Sequence, residues 1–463
     1  MSVLANRYAS KKMREIWSPE NKIKAERRLW IEVMRFQAKA LNIPAEAIAK
    51  YESVLEKIDL ARIDERDKKS RHDVKARIDE FNALTGHEYI HLGMTSRDLT
   101  ENIEATQILN ALNLVQERSA ALLFQLAKKA EQYKDLAIVG RSHNVPAQLT
   151  TLGKKFATVA EELLFAFERL SNLIDRYPLR GFKGPVGTSQ DMSDLLGSAS
   201  ELEAAISKTL GFSRTLDSTG QVYPRSFDFD VISSLVQLSA APSNLATSIR
   251  LMAGLELVSE GFAANQVGSS AMPHKMNSRS CERINGLAVV LRGYLSMISE
   301  VSGDQWNEGD VSDSVVRRVA LGDAFFAIDA IIETTLTVLS EFGVFEGNIK
   351  REIEEQLPFL ATTKILMAAV KAGAGRESTH EALKELSTKA LIAKREGSSY
   401  SLIASIAEDS RIPLDASDLE KLVSNPSEFI GDATSQTERV IARIEAAIKT
   451  FPSASGYTPG AIR

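Results

Sequence analysis

Residues 94–139 read MTSRDLTENIEATQILNALNLVQERSAALLFQLAKKAEQYKDLAIV, a run without glycine or proline between Gly93 and Gly140. Apolar side chains recur at Ile108, Leu112, Val115, Leu122 and Leu126, with Ser119 at the one polar step. Steps of four and three residues make one stripe along a helix, and the run is far longer than the ~11 residues of an average globular helix. A second stripe follows at Phe156, Val159, Leu163, Phe167, Leu170 and Ile174, ending before Pro178. A third covers 227–258, where Pro242 predicts a kink. The fourth starts near Arg279 and continues through Leu287, Leu291 and Leu295, and the fifth spans 311–341. Five long helices with apolar seams predict an all-α bundle. Several are apolar on more than one face, which predicts partners beyond one bundle, most simply further copies of the chain.

Outward from this core the pattern changes. The first ~95 residues are rich in charge, and their shorter helical patterns break at Pro44 and Gly86. After Phe342-Gly343 the periods shorten again. The expected organisation is three helical domains, 1–98, 99–345 and 346–463, with the long-helix bundle at the centre. One short hairpin is expected near 180–190, around Gly181 to Gly187, and the tail from Pro452 onward is expected to fray. No repeat of 20–50 residues is visible.

Composition limits the function classes. The 463 residues carry 56 Lys and Arg against 61 Asp and Glu, a net charge of −5. Nucleic acid and anionic membranes reward a large cationic excess, so neither is an expected partner. A single cysteine, Cys281, precludes an internal disulfide or a multi-cysteine zinc site, and with no signal-like start it predicts a cytoplasmic protein. The string His87-Glu88-Tyr89-Ile90-His91 matches H-E-x-x-H. Gly86 opens it and Gly93 closes it, leaving barely one turn of helix to align two zinc ligands. The zinc reading is therefore set aside in favour of two histidines at a helix end, and no metal is expected. Gly153-Lys154-Lys155 lacks the hydroxyl residue of a phosphate loop, and Gly373-Ala374-Gly375 follows no strand, so no nucleotide cofactor is expected.

The segment that stands apart is Gly268-Ser269-Ser270-Ala271-Met272-Pro273-His274-Lys275-Met276-Asn277, followed by Glu282. It is longer and richer in hydroxyls than a bundle connection needs. It reads either as a solvated linker or as an active-site lid carrying a hydroxyl base, with Lys275, Asn277 and backbone N–H groups ready to hold an oxyanion.

Gly-Ser-Ser-x-Met-Pro-x-Lys-x-Asn resembles the signature of the aspartase/fumarase superfamily. Other stretches, in chain order, resemble its adenylosuccinate lyase branch: Arg7-Tyr8, Arg71-His72-Asp73-Val74, Thr95-Ser96, Gly140-Arg141-Ser142-His143, Pro146 through Thr151, Thr219-Gly220-Gln221, and Trp306 through Arg318. The resemblance runs by motif from about residue 7 to about residue 345. It implies elimination of fumarate from succinyl-substituted purine nucleotides by a homotetramer, with sites shared between three subunits. It further implies Ser269 as general base and His143 as general acid, with Glu282 orienting or charging that histidine. His72 is implied as a second histidine near the phosphate or leaving group, and Lys275 and Asn277 as stabilisers of the developing charge. Arg7, Tyr8, Arg283, Ser314 and Arg318 are implied as phosphate contacts. Thr95, Ser96, Thr150, Gln221 and Lys275 are implied as carboxylate contacts. Without the resemblance, His143 reads as a turn residue before Pro146 and Glu282 as a solvated helix-start carboxylate.

Three positions depart from the branch. Ser278 stands where proline is usual, Ser142 where threonine is common, and Gly309 where many relatives carry an arginine that helps hold the phosphate. The last removes a charge-assisted contact worth about 1.5–3 kcal/mol. Other fumarate-releasing lyases such as argininosuccinate lyase, and fumarase, aspartase or a carboxymuconate cycloisomerase, share the signature loop but do not call for Arg7-Tyr8 or the Ser314/Arg318 pair. A non-catalytic helical assembly protein is the alternative from another class. It has no reason to keep Ser269, Lys275, Asn277 and His143 together.

Overall fold

A computed structural model describes residues 2–261, 272 and 275–460. The N-terminal residues form α1 (Val3–Arg7), α2 (Lys11–Ile16), α3 (Pro19–Gln37), α4 (Ala45–Ser53), α5 (Leu60–Ser70) and α6 (Asp73–Thr85). The long stripe is α7, Ser96–Gln132. Its 37 residues reach ~55 Å at 1.5 Å per residue, so a single helix carries the chain from one end of the bundle to the other. Thr95 caps it, donating its N–H to Asp98 Oδ2 at 2.8 Å, and this uses a polar side chain where the helix leaves its own donors unpaired.

Two strands follow, β1 (Ala137–Ser142) and β2 (Val145–Thr151), paired antiparallel. Then come α8 (Leu152–Arg176), α9 (Gln190–Leu196), α10 (Ser200–Leu210) and α11 (Ser226–Gly254), with Pro242 inside the last. After β3 (Val258–Ser259) are α12 (Arg279–Val301) and α13 (Ser314–Glu341), and β4 (Gly343–Val344) pairs with β3. The remainder is α14 (Glu346–Leu360), α15 (Thr362–Lys371), α16 (Arg376–Arg395), α17 (Leu402–Glu408), α18 (Ala416–Val423) and α19 (Ala433–Ala447).

The bundle packs α7 against α8 and α13, α8 against α11, and α12 against α11 and α13. The all-α expectation and its five long helices therefore hold. One continuous apolar core takes in these helices together with Met13, Trp30 and Phe81 from the N-terminal segment, and Ile353 and Ile444 from the C-terminal one. Residues between Ala361 and Leu419 close a second, smaller core. Among the described residues no helix is long and apolar enough to cross a membrane.

Two expectations need correction. The hairpin lies at 137–151 and not at 180–190. The glycine-rich stretch instead wraps a buried charge: Arg180 donates to the carbonyls of Gly184 and Gly220, both at 3.0 Å, and Gly184 N–H donates to Asp98 Oδ1 at 3.0 Å. Loop carbonyls satisfied by a guanidinium have no need of a strand partner. The tail, expected to fray, is fastened: Tyr457 OH donates to Glu333, Gly460 N–H donates to Glu333 Oε2 at 2.8 Å, and Arg118 lies 3.6 Å from the Tyr457 ring centre.

Candidate active site

The residues singled out by the sequence fall into three groups. At the N-terminal end of α7, His72 caps α6 by accepting Lys75 N–H on Nδ1 at 3.2 Å, which turns its Nε2 toward Ser96 Oγ at 3.5 Å. Thr95 is the neighbouring cap residue. His91 belongs to the same group. Trp30 Nε1 donates to its Nδ1 at 3.0 Å, and burial, aided by the charge of His72, pushes its pKa down to about 4. The stretch from His87 to His91 is not helical, so the geometry of a two-histidine zinc motif is absent. Among the described residues no group of three His, Cys, Asp or Glu side chains is placed to hold a metal ion.

A buried ionic network joins this group to Gln221, Ser314 and Arg318. Arg180 donates to Asp98 Oδ1 at 2.5 Å, and Gly220, whose carbonyl Arg180 also holds, precedes Gln221. Arg225 donates to Glu101 Oε2 at 2.9 Å and pairs with Asp313, the residue before Ser314. Arg317 donates to Asp228 Oδ2 at 2.7 Å, to Glu104 Oε2 at 2.8 Å and to Tyr223 OH. Burial disfavours the charge on Glu104, but Arg317 and Lys22 outweigh it and hold the carboxyl down at about 2. Charges this deep persist only when paired and hydrogen-bonded. The network positions the 95–96, 219–221 and 314–318 stretches by their backbones and leaves Arg318 exposed.

Gly309 lies in this group. Its φ of +142° belongs to glycine, and a Cβ there would meet Val222 Cγ2 at 3.0 Å and Gln221 Cβ at 3.4 Å. Gln221 N–H donates to Glu308 O at 2.7 Å, locking the two turns together. A side chain at 309 would therefore be strained by that φ and crowded by Val222 and Gln221.

The second group is the β1–β2 tip. His143 and Asn144 form its two-residue turn with φ of +49° and +61°, the left-handed pair that matches the twist of antiparallel strands. His143 is exposed at the tip, and Thr150 faces a shallow groove beside Gln436. Because the hairpin follows the C-terminal end of α7, it is separated from Ser96 by the ~55 Å length of that helix.

The third group surrounds the start of α12. The Arg7 and Arg283 guanidinium carbons lie 5.7 and 5.5 Å from the Tyr8 ring centre, two cations about one aromatic ring. Among the described residues neither arginine pairs with a carboxylate. Arg283 and Ser280 also line a cleft of about 750 Å³ with Lys128, Lys129 and the tail residues Tyr457 to Gly460. Lys275 is exposed and its N–H donates to Met272 O at 3.0 Å, while Asn277 is half-buried. Glu282 is exposed on the first turn of α12. Ser269 lies outside the described residues. Glu260, which the sequence reading passed over, fixes the exit of this loop by accepting Ser280 N–H and Cys281 N–H, each at 2.9 Å. Burial, together with that carboxylate, pushes the Cys281 thiol well above its usual range, so it is an inert packing group.

Within one chain, then, Arg7, Tyr8 and Arg283 meet, and so do His72, Thr95 and Ser96. Gln221, Ser314 and Arg318 are tied to the latter by the network. Among the described residues no hydrogen bond or ion pair joins His143 to Glu282.

The fold is shared with solved enzymes. The 3-carboxy-cis,cis-muconate lactonizing enzyme from Pseudomonas putida superposes with a TM-score of 0.84 at 20% identity, over 96% of this chain and 99% of the other. The beta-carboxy-cis,cis-muconate cycloisomerase from Acinetobacter calcoaceticus sp. ADP1 gives 0.81 at 19%, over 96% and 100%. A family model described as Lyase matches residues 7–293, which with the bundle defines the chain as a helical lyase. A second, Adenylosuccinate lyase C-terminus, matches 358–440. Adenylosuccinate lyase of Saccharomyces cerevisiae is 35% identical over 454 residues, covering 95% of this chain and 93% of the yeast protein. That of Archaeoglobus fulgidus is 29% identical over 446 residues, covering 96% and 98%. The chain belongs to the adenylosuccinate lyase family.

Proposed function

We propose that the protein is a carbon–nitrogen lyase that eliminates fumarate from adenylosuccinate, giving AMP, and from the succinylaminoimidazole carboxamide ribotide of purine biosynthesis. Likeness to adenylosuccinate lyases over nearly the whole chain carries the reading. The Arg7–Tyr8–Arg283 group supports it, because two guanidiniums with no carboxylate partner among the described residues suit a phosphate monoester.

In this reading Ser269 Oγ takes a proton from the methylene carbon of the succinyl group. The electron pair left there closes the carbon–carbon double bond as the C–N bond breaks, and His143 protonates the departing nitrogen. The developing charge spreads onto the adjacent carboxylate, where Lys275 and Asn277 stabilise it. Thr95, Ser96, Thr150 and Gln221 hold the succinyl carboxylates, and Ser314 and Arg318 join the phosphate contacts. His72 sits near the phosphate or leaving group, and Glu282 orients or charges His143.

His72, Thr95 and Ser96 lie a helix length from the β1–β2 tip, and among the described residues no hydrogen bond or ion pair joins Arg7, Tyr8 or Arg283 to either, so a complete site takes one group from each of three subunits of a homotetramer. Leu251, Val289, Val290, Val315 and Val319 stay exposed on α11, α12 and α13 of the single chain, an apolar surface that subunit contacts would cover. The enzyme acts in the cytoplasm without a cofactor.

The test is to incubate purified protein with adenylosuccinate and, separately, argininosuccinate. Fumarate and AMP from the first alone are expected. Fumarate from argininosuccinate alone would overturn the phosphate-site reading, and fumarate from neither would favour a structural role.

A further inference from the structure

Two carboxylates stand one helical turn apart inside α13, where residues 324–332 are otherwise Ala, Phe and Ile. Asp329 is 1% exposed and Glu333 is fully buried. Like charges four residues apart repel each other, and their burial costs more than surface placement. Each is occupied by a different end of the chain. Glu333 takes the C-terminal tail through Tyr457 and Gly460, with Arg118 beside it at 3.4 Å.

Asp329 takes the N-terminal segment at Ser10. Ser10 N–H donates to Asp329 Oδ2 at 2.6 Å, and Ser10 Oγ donates to Oδ1 at 3.1 Å. Ser10 is also the cap of α2, accepting Met13 N–H at 3.3 Å. α1 ends at Arg7, Tyr8 is its cap residue, and Ala9 is buried in the main core. Only Tyr8 and Ala9 separate the Arg7 end of α1 from the anchored Ser10. Arg7 itself is exposed and has no ionic partner among the described residues to fix it. The bond to α13, with Leu4, Ala9 and Met13 packed into the core around it, fixes the register of Arg7 and the Tyr8 ring against Arg283 on α12.

We infer that Asp329 is a positioning residue for the phosphate-binding group, holding Arg7 and Tyr8 in register with Arg283 through Ser10. The inference rests on the proposed activity for its substrate, but its geometry concerns the phosphate alone. Asparagine is isosteric and able to keep both contacts, accepting the Ser10 N–H through its carbonyl and donating its amide to Ser10 Oγ. Alanine keeps neither.

The test measures AMP and adenosine binding by calorimetry, and fumarate release from adenylosuccinate and from its dephosphorylated nucleoside. Wild type, Asp329→Ala, Asp329→Asn and Ser10→Ala are compared. For Asp329→Ala a loss of AMP affinity and a rise in KM for adenylosuccinate of about tenfold are expected, with kcat within about threefold. Adenosine binding and turnover of the dephosphorylated substrate should not change. Asp329→Asn should restore AMP binding to within about threefold of wild type. Ser10→Ala, which removes one of the two contacts at a partly exposed position, should show a smaller loss in the same direction if Asp329→Ala does not fold. Equal AMP affinity in wild type and the variants, or equal losses for AMP and adenosine, would overturn the inference. Wild type that fails to bind AMP would overturn it too. Wild type that binds AMP but releases no fumarate would overturn the proposed activity alone, with AMP binding still deciding the role of Asp329.

Discussion

Gly309 shows how one residue can carry two constraints. Its φ of +142° costs a side-chain-bearing residue about 1–3 kcal/mol, and its Cα face lies against Gln221 and Val222. Gly309→Arg should therefore lower stability by that amount in a denaturant titration, without tightening AMP. An unchanged unfolding midpoint with tighter AMP binding would show that the turn yields and that the arginine is simply missing. Glu260 acts at the same scale. Its carboxylate accepts two N–H groups at the start of α12, where the helix dipole also favours a negative charge. For Ser269, substitution by alanine should cut kcat at least ~10³-fold with the unfolding curve unchanged. Near-normal turnover would remove it as the base. Neither Glu260 nor Asp329 stood out as a site residue in the sequence. Both were visible only as charges set in apolar surroundings, and which donors they face depends on chain remote from them.

The elements explain why the candidate residues are where they are. A glycine-free helix of 37 residues is a rod, and its ends present what precedes and follows it: His72, Thr95 and Ser96 at one end, the hairpin with His143 at the other. Helix periodicity was legible because each of the five long helices has a continuous apolar seam. The hairpin was not, since its turn is His143-Asn144 rather than a glycine pair, and the glycine-rich stretch that drew attention is instead folded around Arg180 and Asp98. Asp98 caps α7 and pairs with Arg180, which is 1% exposed. Asp98→Ala strands that guanidinium, and a loss of about 3–5 kcal/mol is expected in chemical denaturation. A loss below 1 kcal/mol would mean that water reaches Arg180 or that the loop rearranges to pair it.

At the scale of the whole molecule the three groups do not close on one another. His143→Ala and Ser269→Ala proteins, each inactive, should regain part of the activity when mixed under conditions of subunit exchange. No rescue, with exchange shown by labelled subunits, would place each site within one chain. A second whole-molecule prediction concerns pH. Burial lifts the Asp329 carboxyl to about 7, and the nearby charge of Glu333 adds to this, while the Ser10 bonds and Arg118 oppose it. Between about pH 4 and pH 7 the folded protein therefore keeps a proton that the unfolded chain has released, and stability from this group falls as pH rises across that window. Carboxyls held low, such as Glu104, act in the opposite sense at lower pH, so the comparison must be with Asp329→Asn. The stability difference between wild type and that variant should drift against wild type by a few kcal/mol from pH 4 to pH 7. A flat difference would show that Asp329 titrates normally.

By itself the sequence determined the helical class, the five rods and their approximate limits, and through its motifs the identity of most candidate residues. These are written in local spacing, where a period of 3.6 or a short contiguous motif is complete within a few turns. Only the tertiary structure decided which candidates meet. The register of Arg7 and Tyr8 on Arg283, the crowding about Gly309, the network beneath Ser96 and Gln221, and the fastening of both terminal segments to α13 all join residues tens to hundreds of positions apart. No local pattern encodes such pairings, because the burial that makes each charge demand its partner exists only once the bundle has formed.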